Sequence, residues 1–119
     1  MLENKLTVQD IKIYEDERGY LASLWNIDDG HLIEDRISVS KKGVIRGFHA
    51  DSYIGKLCFC LHGCFKLVTW DIKKQEKFEI ILSENSNKRV YIPPWFLNAH
   101  QCLSDKCILL YKWSHRYSG

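Results

Sequence analysis

The feature that most constrains this chain is its division into short segments in which apolar and polar residues alternate. Turns rich in glycine, aspartate and lysine separate these segments at a spacing of roughly 8–12 residues, which is typical of an all-β protein. No helical period of 3.6 residues persists for three turns. The pattern therefore predicts a β-sandwich or barrel. We expect a jelly-roll barrel, because that closure removes most sheet edges and leaves a pocket.

About ten strands are predicted from this alternation. The clearest hairpin is at His62-Gly63, where two residues ending in glycine separate two apolar runs. Alternation on the strand before that turn places Lys56, Cys58 and Cys60 on one face. The predicted strands lie at residues 6–13, 20–27, 33–40, 44–50, 56–61, 64–72, 78–82, 90–92, 101–103 and 107–113.

The composition predicts a single domain over residues 1–119 and argues against several classes of function. The chain has 17 basic and 15 acidic residues, interspersed, and a net charge of +2, so we expect no nucleic-acid partner. No apolar run approaches the roughly 18 residues that span a bilayer. The first ten residues, MLENKLTVQD, lack the apolar region of a secretion signal. A cytoplasmic protein without a membrane partner is the expectation.

Five cysteines are present, at positions 58, 60, 64, 102 and 107. A secreted disulfide scaffold usually has an even number, so we expect all five to be reduced and packed in the core or the wall of a cavity. The Cys58-x-Cys60 spacing does not match a zinc site, and no second pair completes one.

A cluster of chemically active side chains occurs in GVIRGFHAD at 43–51 and in Gly55-Lys56. His49 and Asp51 share a face of the predicted strand, whereas Arg46 and His49 are three residues apart and would face opposite ways on a regular strand. A bulge at Gly47 would turn both inward. A base and cations on neighbouring strands of a barrel suggest proton chemistry in a pocket.

These segments, together with others in the same order, resemble the nucleotide-sugar 3,5-epimerase family typified by dTDP-4-dehydrorhamnose 3,5-epimerase. The similarity extends from about residue 14 to residue 117, nearly the whole chain. It rests on EDERGY at 15–20, GVIRGFH at 43–49, GK at 55–56, LHGCFKLVTWDIK at 61–73, IPP at 92–94 with a following histidine, LSD at 103–105, and YK…Y at 111–117.

The resemblance implies a cupin fold, a homodimer, and an isomerase without a metal or cofactor that acts on a nucleoside-diphospho-4-keto-6-deoxy sugar. It assigns His49 as the base, Tyr111 as the acid and Lys56 as the group that stabilises the enolate oxygen. A histidine suits reversible proton abstraction near neutral pH, and a fixed cation stabilises charge that develops in a dry pocket. The expected substrate-binding residues are Arg46, Arg18 from the neighbouring subunit, His100, Tyr117 and Asp51.

Two departures from the family pattern are also expected to matter. Family members continue beyond the position of Gly119 and carry there an aspartate that orients the catalytic histidine, and this extension is absent from the sequence. Asp51 is the local substitute that we expect to orient His49. Where thymine-reading members have Gln-x-Asn-x-Ser, this chain has Glu34-Asp35-Arg36-Ile37-Ser38, so the contacts to the base differ and another base, such as guanine, is a candidate.

Three alternatives to the epimerase remain open at this stage. A metal-dependent cupin would need a ligand where Lys56 stands, and an ammonium beside a divalent cation is unfavourable. A sugar 3,4-ketoisomerase also carries an RGFHAH-like strand but has a histidine where Asp51 stands. A degenerate cupin would bind a nucleotide sugar without turnover.

Overall fold

The computed structural model describes residues 5–26 and 30–115, and these residues confirm the all-β prediction. No helix in the described part of the chain is long and apolar enough to cross a membrane. The strands are β1 (Thr7–Asp10), β2 (Lys12–Asp16), β3 (Gly19–Ser23), β4 (Glu34–Lys41), β5 (Ile45–His49), β6 (Lys56–His62), β7 (Cys64–Asp71), β8 (Glu76–Ser83), β9 (Lys88–Ile92), β10 (Phe96–Cys102) and β11 (Lys106–Trp113).

Two antiparallel sheets form the body of the fold. One has the strand order β1-β9-β6-β11-β4 and the other has the order β5-β10-β7-β8, while β2 and β3 form a separate hairpin. Chain neighbours such as β4 and β5, or β10 and β11, lie in different sheets. This crossing of the chain between two sheets is the jelly-roll arrangement that the sequence pattern predicts.

The core divides into two clusters on the two faces of the five-stranded sheet. The larger cluster lies between the sheets and includes Cys58, Phe65 and Leu109, all fully buried. The smaller one covers the outer face and includes Leu57 and Phe59, packed against residues that precede β4. Residues 57 and 58 therefore point to opposite faces, as the alternation on this strand predicts.

The predicted strand boundaries hold in most places, and three are wrong. The strand predicted at 20–27 ends at Ser23. Residues 6–13 form two strands rather than one, because the chain breaks at Ile11, whose amide donates to the Asn87 carbonyl. The strand predicted at 101–103 is the end of a longer one, β10. Its buried middle contains Asn98 and His100, and these polar inward-facing residues conceal the alternation.

All five cysteines are free, which confirms the prediction that they are reduced. Cys58, Cys102 and Cys107 are buried, and the other two are partly buried. Burial raises the pKa of the Cys58 thiol to about 12, because the thiolate would lose its hydration, and nearby Lys56 offsets part of this rise. These thiols therefore behave as small apolar side chains.

A bulge in β5 brings Arg46 and His49 to the same cavity. In the pairing of β5 with β10, His49 lies opposite Asn98 and Arg46 lies opposite His100. The two residues on β5 are three positions apart and their partners on β10 are two apart, so β5 contains one extra residue. The extra residue lies in the segment that contains Gly47, whose φ angle is +133°. A bulge of this kind reverses the strand alternation, and the sequence-based expectation for Gly47 is confirmed.

The bulge also requires the absence of a side chain at Gly47. A Cβ atom there would lie 2.6 Å from the Ala99 Cβ and 2.7 Å from the Asn98 carbonyl oxygen. We expect Gly47→Ala to lower the free energy of unfolding by about 3 kcal/mol, because it combines backbone strain with a clash against the neighbouring strand. Chemical denaturation measures this loss.

Gly19→Ala is the matched control for this prediction. Gly19 has nearly the same φ angle, +128°, but nothing lies within 4 Å of its Cβ position. Gly19→Ala should lower the free energy of unfolding only through backbone strain, by roughly 1–2 kcal/mol. If both variants lost the same free energy of unfolding, the clash between position 47 and β10 would be contradicted.

Candidate active site

A cavity of about 590 Å³ opens between the two sheets. One wall comes from β4, β6 and β11, and the other comes from β5, β10 and the loop after β5. Six of the eight predicted site residues line it: Arg46, His49, Asp51, Lys56, His100 and Tyr111. The structure thus brings together side chains that are up to 65 positions apart in the sequence.

Tyr111 and His100 form a hydrogen-bonded pair at one side of the cavity. The Tyr111 hydroxyl lies 3.0 Å from His100 Nδ1, and the rings are tilted against each other. His100 is 3% exposed, and its Nε2 atom has no hydrogen-bond partner in the described part of the chain. The pair therefore lies on the inner, dry side of the cavity.

Burial keeps both members of this pair neutral. It is the main cause that lowers the pKa of His100 to about 4, and the positive charge of Arg46 and the nearby His49 contribute to the same shift. Burial also raises the pKa of the Tyr111 hydroxyl far above its ordinary value, and Arg46 opposes a part of that rise. At neutral pH the pair thus holds a phenol and an uncharged imidazole.

Lys56 extends into the opposite side of the cavity from the first position of β6. Lys56 is only 6% exposed, and its Nζ lies 3.3 Å from Asp51 Oδ2. The same Nζ is 5.2 Å from the centre of the Trp113 ring. A carboxylate on one side and an aromatic ring on another hold this ammonium beside the cavity.

Arg46 is held against β4. Its Nε donates to Ser40 Oγ at 2.8 Å, and one of its terminal nitrogens donates to the Val39 carbonyl at 3.2 Å. The remaining edge of the guanidinium lines the cavity. An arginine fixed in this way has donors in a planar fork that suits phosphate oxygens.

His49 lies at the end of β5. Its backbone carbonyl accepts a hydrogen bond from Asn98 Nδ2 at 3.1 Å, which ties the strand end to β10. Among residues 5–26 and 30–115, no hydrogen bond or ion pair holds the His49 imidazole, and Asp51 is paired with Lys56 instead. The imidazole is thus on the cavity wall and accessible.

One predicted site residue, Arg18, does not line this cavity. Arg18 is at the turn between β2 and β3, where its side chain is 86% exposed and paired with Asp16 at 2.6 Å. This location is compatible with the expectation that Arg18 serves a neighbouring subunit, which stays a prediction. Tyr117 falls outside the described residues, so its predicted role is also untested.

Further residues line the cavity without having been assigned to it, among them Asn98, Trp113 and Arg36. Asn98 and Trp113 each lie two positions from a predicted site residue on the same strand face, which is a signal that the alternation offers. Arg36 had been noted only as a change in the base-binding pattern. Its guanidinium carbon lies 4.5 Å from the centre of the Trp113 ring, and its Nε donates to Glu34.

No group of three His, Cys, Asp or Glu side chains in the described ranges could hold a metal ion. The carboxylate of Asp51, two residues after His49, lies at the Lys56 ammonium. The cavity thus offers an imidazole, a phenol, an ammonium and a guanidinium around one space. This set can remove a proton, return one, and stabilise an anion between the two steps.

Fold and cavity together define a cupin with a pocket lined by ionisable side chains. The family model described as dTDP-4-dehydrorhamnose 3,5-epimerase matches residues 3–119. A relative from Methanothermobacter thermautotrophicus with this name is 31% identical over 89% of the chain, and one from Salmonella typhimurium is 28% identical over 99%. The chain belongs to the dTDP-4-dehydrorhamnose 3,5-epimerase family, which consists of isomerases. It spans 65% and 76% of the lengths of these two relatives, respectively.

Solved structures confirm the cupin fold. The crystal structure of dTDP-4-dehydrorhamnose 3,5-epimerase from Sulfolobus tokodaii has a TM-score of 0.88 and 26% identity, and the match covers 96% of this chain and 72% of that one. The dTDP-6-deoxy-D-glucose-3,5-epimerase of Legionella pneumophila, solved in complex with dTDP-4-keto-L-rhamnose, has a TM-score of 0.88 and 29% identity. That match covers 95% of this chain and 68% of the Legionella chain.

The buried His100 makes the stability of the protein depend on pH. Its pKa falls from 6.5 to about 4 on folding, so between these values the unfolded chain binds a proton that the folded chain does not. Unfolding free energy should therefore drop as pH decreases through this window, by about 2 kcal/mol between pH 7.5 and pH 5 from this residue alone. Denaturation of the wild type and His100→Gln at both pH values measures it.

The variant should lack this part of the drop because glutamine does not titrate. His31→Gln, which removes an exposed histidine, is the control for losing an imidazole. The same drop in wild type and His100→Gln would contradict the assignment of a neutral, buried His100.

Proposed function

We propose that this protein inverts C3, C5 or both in a nucleoside-diphospho-4-keto-6-deoxy sugar. The observation that supports the proposal is the location of His49, Lys56 and Tyr111 around one cavity. The 4-keto group makes the hydrogens on C3 and C5 acidic, so a base, an oxyanion-stabilising cation and an acid are sufficient chemistry. The curated relatives are named as dTDP-4-dehydrorhamnose 3,5-epimerases, and the similar Legionella protein was solved with a dTDP-linked 4-keto sugar.

The proposed reaction begins at His49. Its imidazole takes the proton from C3 or C5, and the electron pair of that C–H bond forms the double bond of an enolate. The carbonyl electrons move to the C4 oxygen, which becomes an oxyanion next to the Lys56 ammonium. A fixed ammonium needs no reorganisation when this charge develops, so it lowers the barrier.

Tyr111 then returns a proton to the opposite face of the same carbon, and the carbonyl re-forms. The raised pKa of its hydroxyl keeps the proton in place until a strongly basic carbon is available. For the O–H to point at the sugar, the phenol oxygen must accept from His100, which then carries its proton on Nδ1. Proton exchange of His49 and Tyr111 with solvent resets the site.

Arg46 is the proposed contact for the diphosphate, because its guanidinium is fixed at the cavity wall by Ser40 and Val39. Tyr117 is proposed to contact the sugar, as the resemblance implies. On β4, Glu34 and Arg36 stand where the pattern of thymine-reading members has glutamine and asparagine, and Arg36 lines the cavity. This difference supports a nucleotide whose base is bound differently from thymine in the relatives.

A homodimer is the second part of the proposal. The hairpin of β2 and β3 pairs with neither sheet in the described chain, and it exposes Tyr20 and Leu21 by 64% and 69%. Such an apolar projection is explained if it packs on a second copy. Arg18, at the tip of this hairpin, would then enter the cavity of the partner and bind the diphosphate.

We also propose that the chain acts as a single cupin domain in the cytoplasm. The cluster between the sheets is continuous, with members from β6 through β11. Five cysteines without a disulfide are typical of proteins in a reducing compartment.

Deuterium exchange tests the activity. Incubated in D2O with a panel of nucleoside-diphospho-4-keto-6-deoxy sugars, including dTDP-4-keto-L-rhamnose, the protein should remove the C3 or C5 proton signal in NMR spectra. His49→Asn should slow this exchange at least 100-fold, roughly the contribution of a general base. Binding of a sugar without exchange in the wild type would select a non-catalytic binding protein, and a 3-keto product would select a ketoisomerase.

Subunit complementation tests the shared site. Arg18→Ala and His49→Asn chains are co-expressed with different tags, and the heterodimer is purified through both. In the heterodimer, the cavity of the Arg18→Ala chain contains an intact His49 and receives an intact Arg18 from the His49→Asn chain. About half of the wild-type activity should therefore return. Each variant alone should be weak. An inactive heterodimer, or a monomeric wild-type protein, would contradict the shared cavity.

A further inference from the structure

The pairing of Lys56 with Asp51 indicates a role for Asp51 in addition to that of Lys56 as an oxyanion-stabilising group. Sequence reasoning placed Asp51 among the substrate contacts. In the structure, its carboxylate instead lies 3.3 Å from the Lys56 ammonium, with both side chains largely shielded from solvent.

We propose that Asp51 is a positioning residue that holds the Lys56 ammonium at the cavity wall. The inference rests on the proposed function and concerns the same site. Asp51 acts through Lys56 and neither removes a proton nor binds the nucleotide.

The backbone around this pair is fixed at several points. Lys56 pairs with Ile92 on one side and with Trp113 on the other, so its strand is held from both directions. The Asp51 carbonyl accepts from the Trp95 amide at 2.8 Å, which anchors the loop that carries the carboxylate. Both partners of the ion pair are therefore attached to ordered backbone.

The segment between the two partners is equally constrained. The Gly55 amide donates to Ser114 Oγ at 2.8 Å, and the Ser114 amide donates to the Gly55 carbonyl at 2.9 Å. A Cβ at Gly55 would lie 2.1 Å from the Tyr91 hydroxyl, so the chain packs closely here. The four-residue connection from Asp51 to Lys56 cannot shift without breaking these contacts.

The lysine itself supplies the reason why positioning matters. Its four-carbon stem has many rotamers and its ammonium is a point charge, so a lysine is not pre-organised as an arginine fork is. The Trp113 ring limits the ammonium on one side and the carboxylate limits it on another. The ammonium lies within ion-pair distance of Asp51, and it has three N–H donors, which can also reach the substrate oxygen.

Asp51 has a different relation to His49. The two residues share a wall of the cavity, but within the described ranges no hydrogen bond joins the carboxylate to the imidazole. A role through Lys56 and a role through His49 therefore predict different results in a double-mutant cycle.

The kinetic experiment uses Asp51→Asn, Lys56→Met and the double variant, assayed by deuterium exchange on the nucleotide sugar that the wild type accepts. Asp51→Asn keeps the size of the side chain and should lower kcat roughly 10- to 100-fold, as expected for a displaced catalytic group, with KM within about threefold. In the Lys56→Met background the same change should have almost no effect. Asp51→Glu should recover part of the activity.

Asp35→Asn is the matched control. Asp35 pairs with Lys112 at 2.9 Å on the same sheet, and neither residue lines the cavity. Removing this carboxylate should leave kcat and KM at wild-type values. A raised KM with unchanged kcat in Asp51→Asn would overturn the proposal in favour of direct substrate binding. Equal losses of kcat in both backgrounds would overturn it in favour of His49.

A second readout does not depend on activity. Asp51→Asn should lower the denaturation midpoint in the wild-type background. In the Lys56→Met background it should not lower the midpoint, because the Asp51 carboxylate has already lost its partner. Equal shifts in both backgrounds would refute the pairing whatever the protein catalyses. A wild type without exchange on any sugar would refute the proposed function, and the midpoint cycle would still decide the pairing.

Discussion

The pairing of β11 with two strands at once is the constraint on which the rest of the site depends. Tyr111 lies opposite Arg36 on β4 and opposite Cys58 on β6, and Trp113 lies opposite Glu34 and Lys56. These registers set the lysine, the tryptophan and the tyrosine along one wall of the cavity. A shift by one residue would turn every one of these side chains to the other face of the sheet. The hydrophobic pattern that keeps Leu109 in the core therefore also holds the chemistry in place.

The opposite wall depends on an irregularity rather than on regular pairing. A regular β5 would direct either Arg46 or His49 away from the cavity, and the bulge allows both to face it. The position of Gly47 against Ala99 makes the bulge possible, since any side chain would collide with β10. The proposed base and the proposed phosphate contact are thus linked to a backbone feature that contributes no functional group of its own.

Burial gives the groups in this cavity different charge states. His100 and Tyr111 lose hydration and stay neutral, whereas the ammonium of Lys56 is compensated by a carboxylate and by an aromatic ring. A buried charge without such partners would be unfavourable. A neutral acid and a compensated cation on one surface suit a reaction whose intermediate is an anion and whose beginning and end carry the same charge.

Local patterns in the sequence determined the all-β class, the hairpin at His62-Gly63 and the opposite faces of residues 57 and 58, because each depends on neighbours in the chain. The motif around His49 and the Gly55-Lys56 pair also indicated four of the cavity residues, Arg46, His49, Asp51 and Lys56. The extent of β10 and the places of Arg36 and Trp113 in the cavity were decided only by tertiary structure, since buried polar residues hide the alternation and strand register joins distant segments. The partner of Asp51 was decided there too, because the loop between β5 and β6 sets its direction. The residue types for proton transfer are local information, whereas their distances and charge states arise from packing.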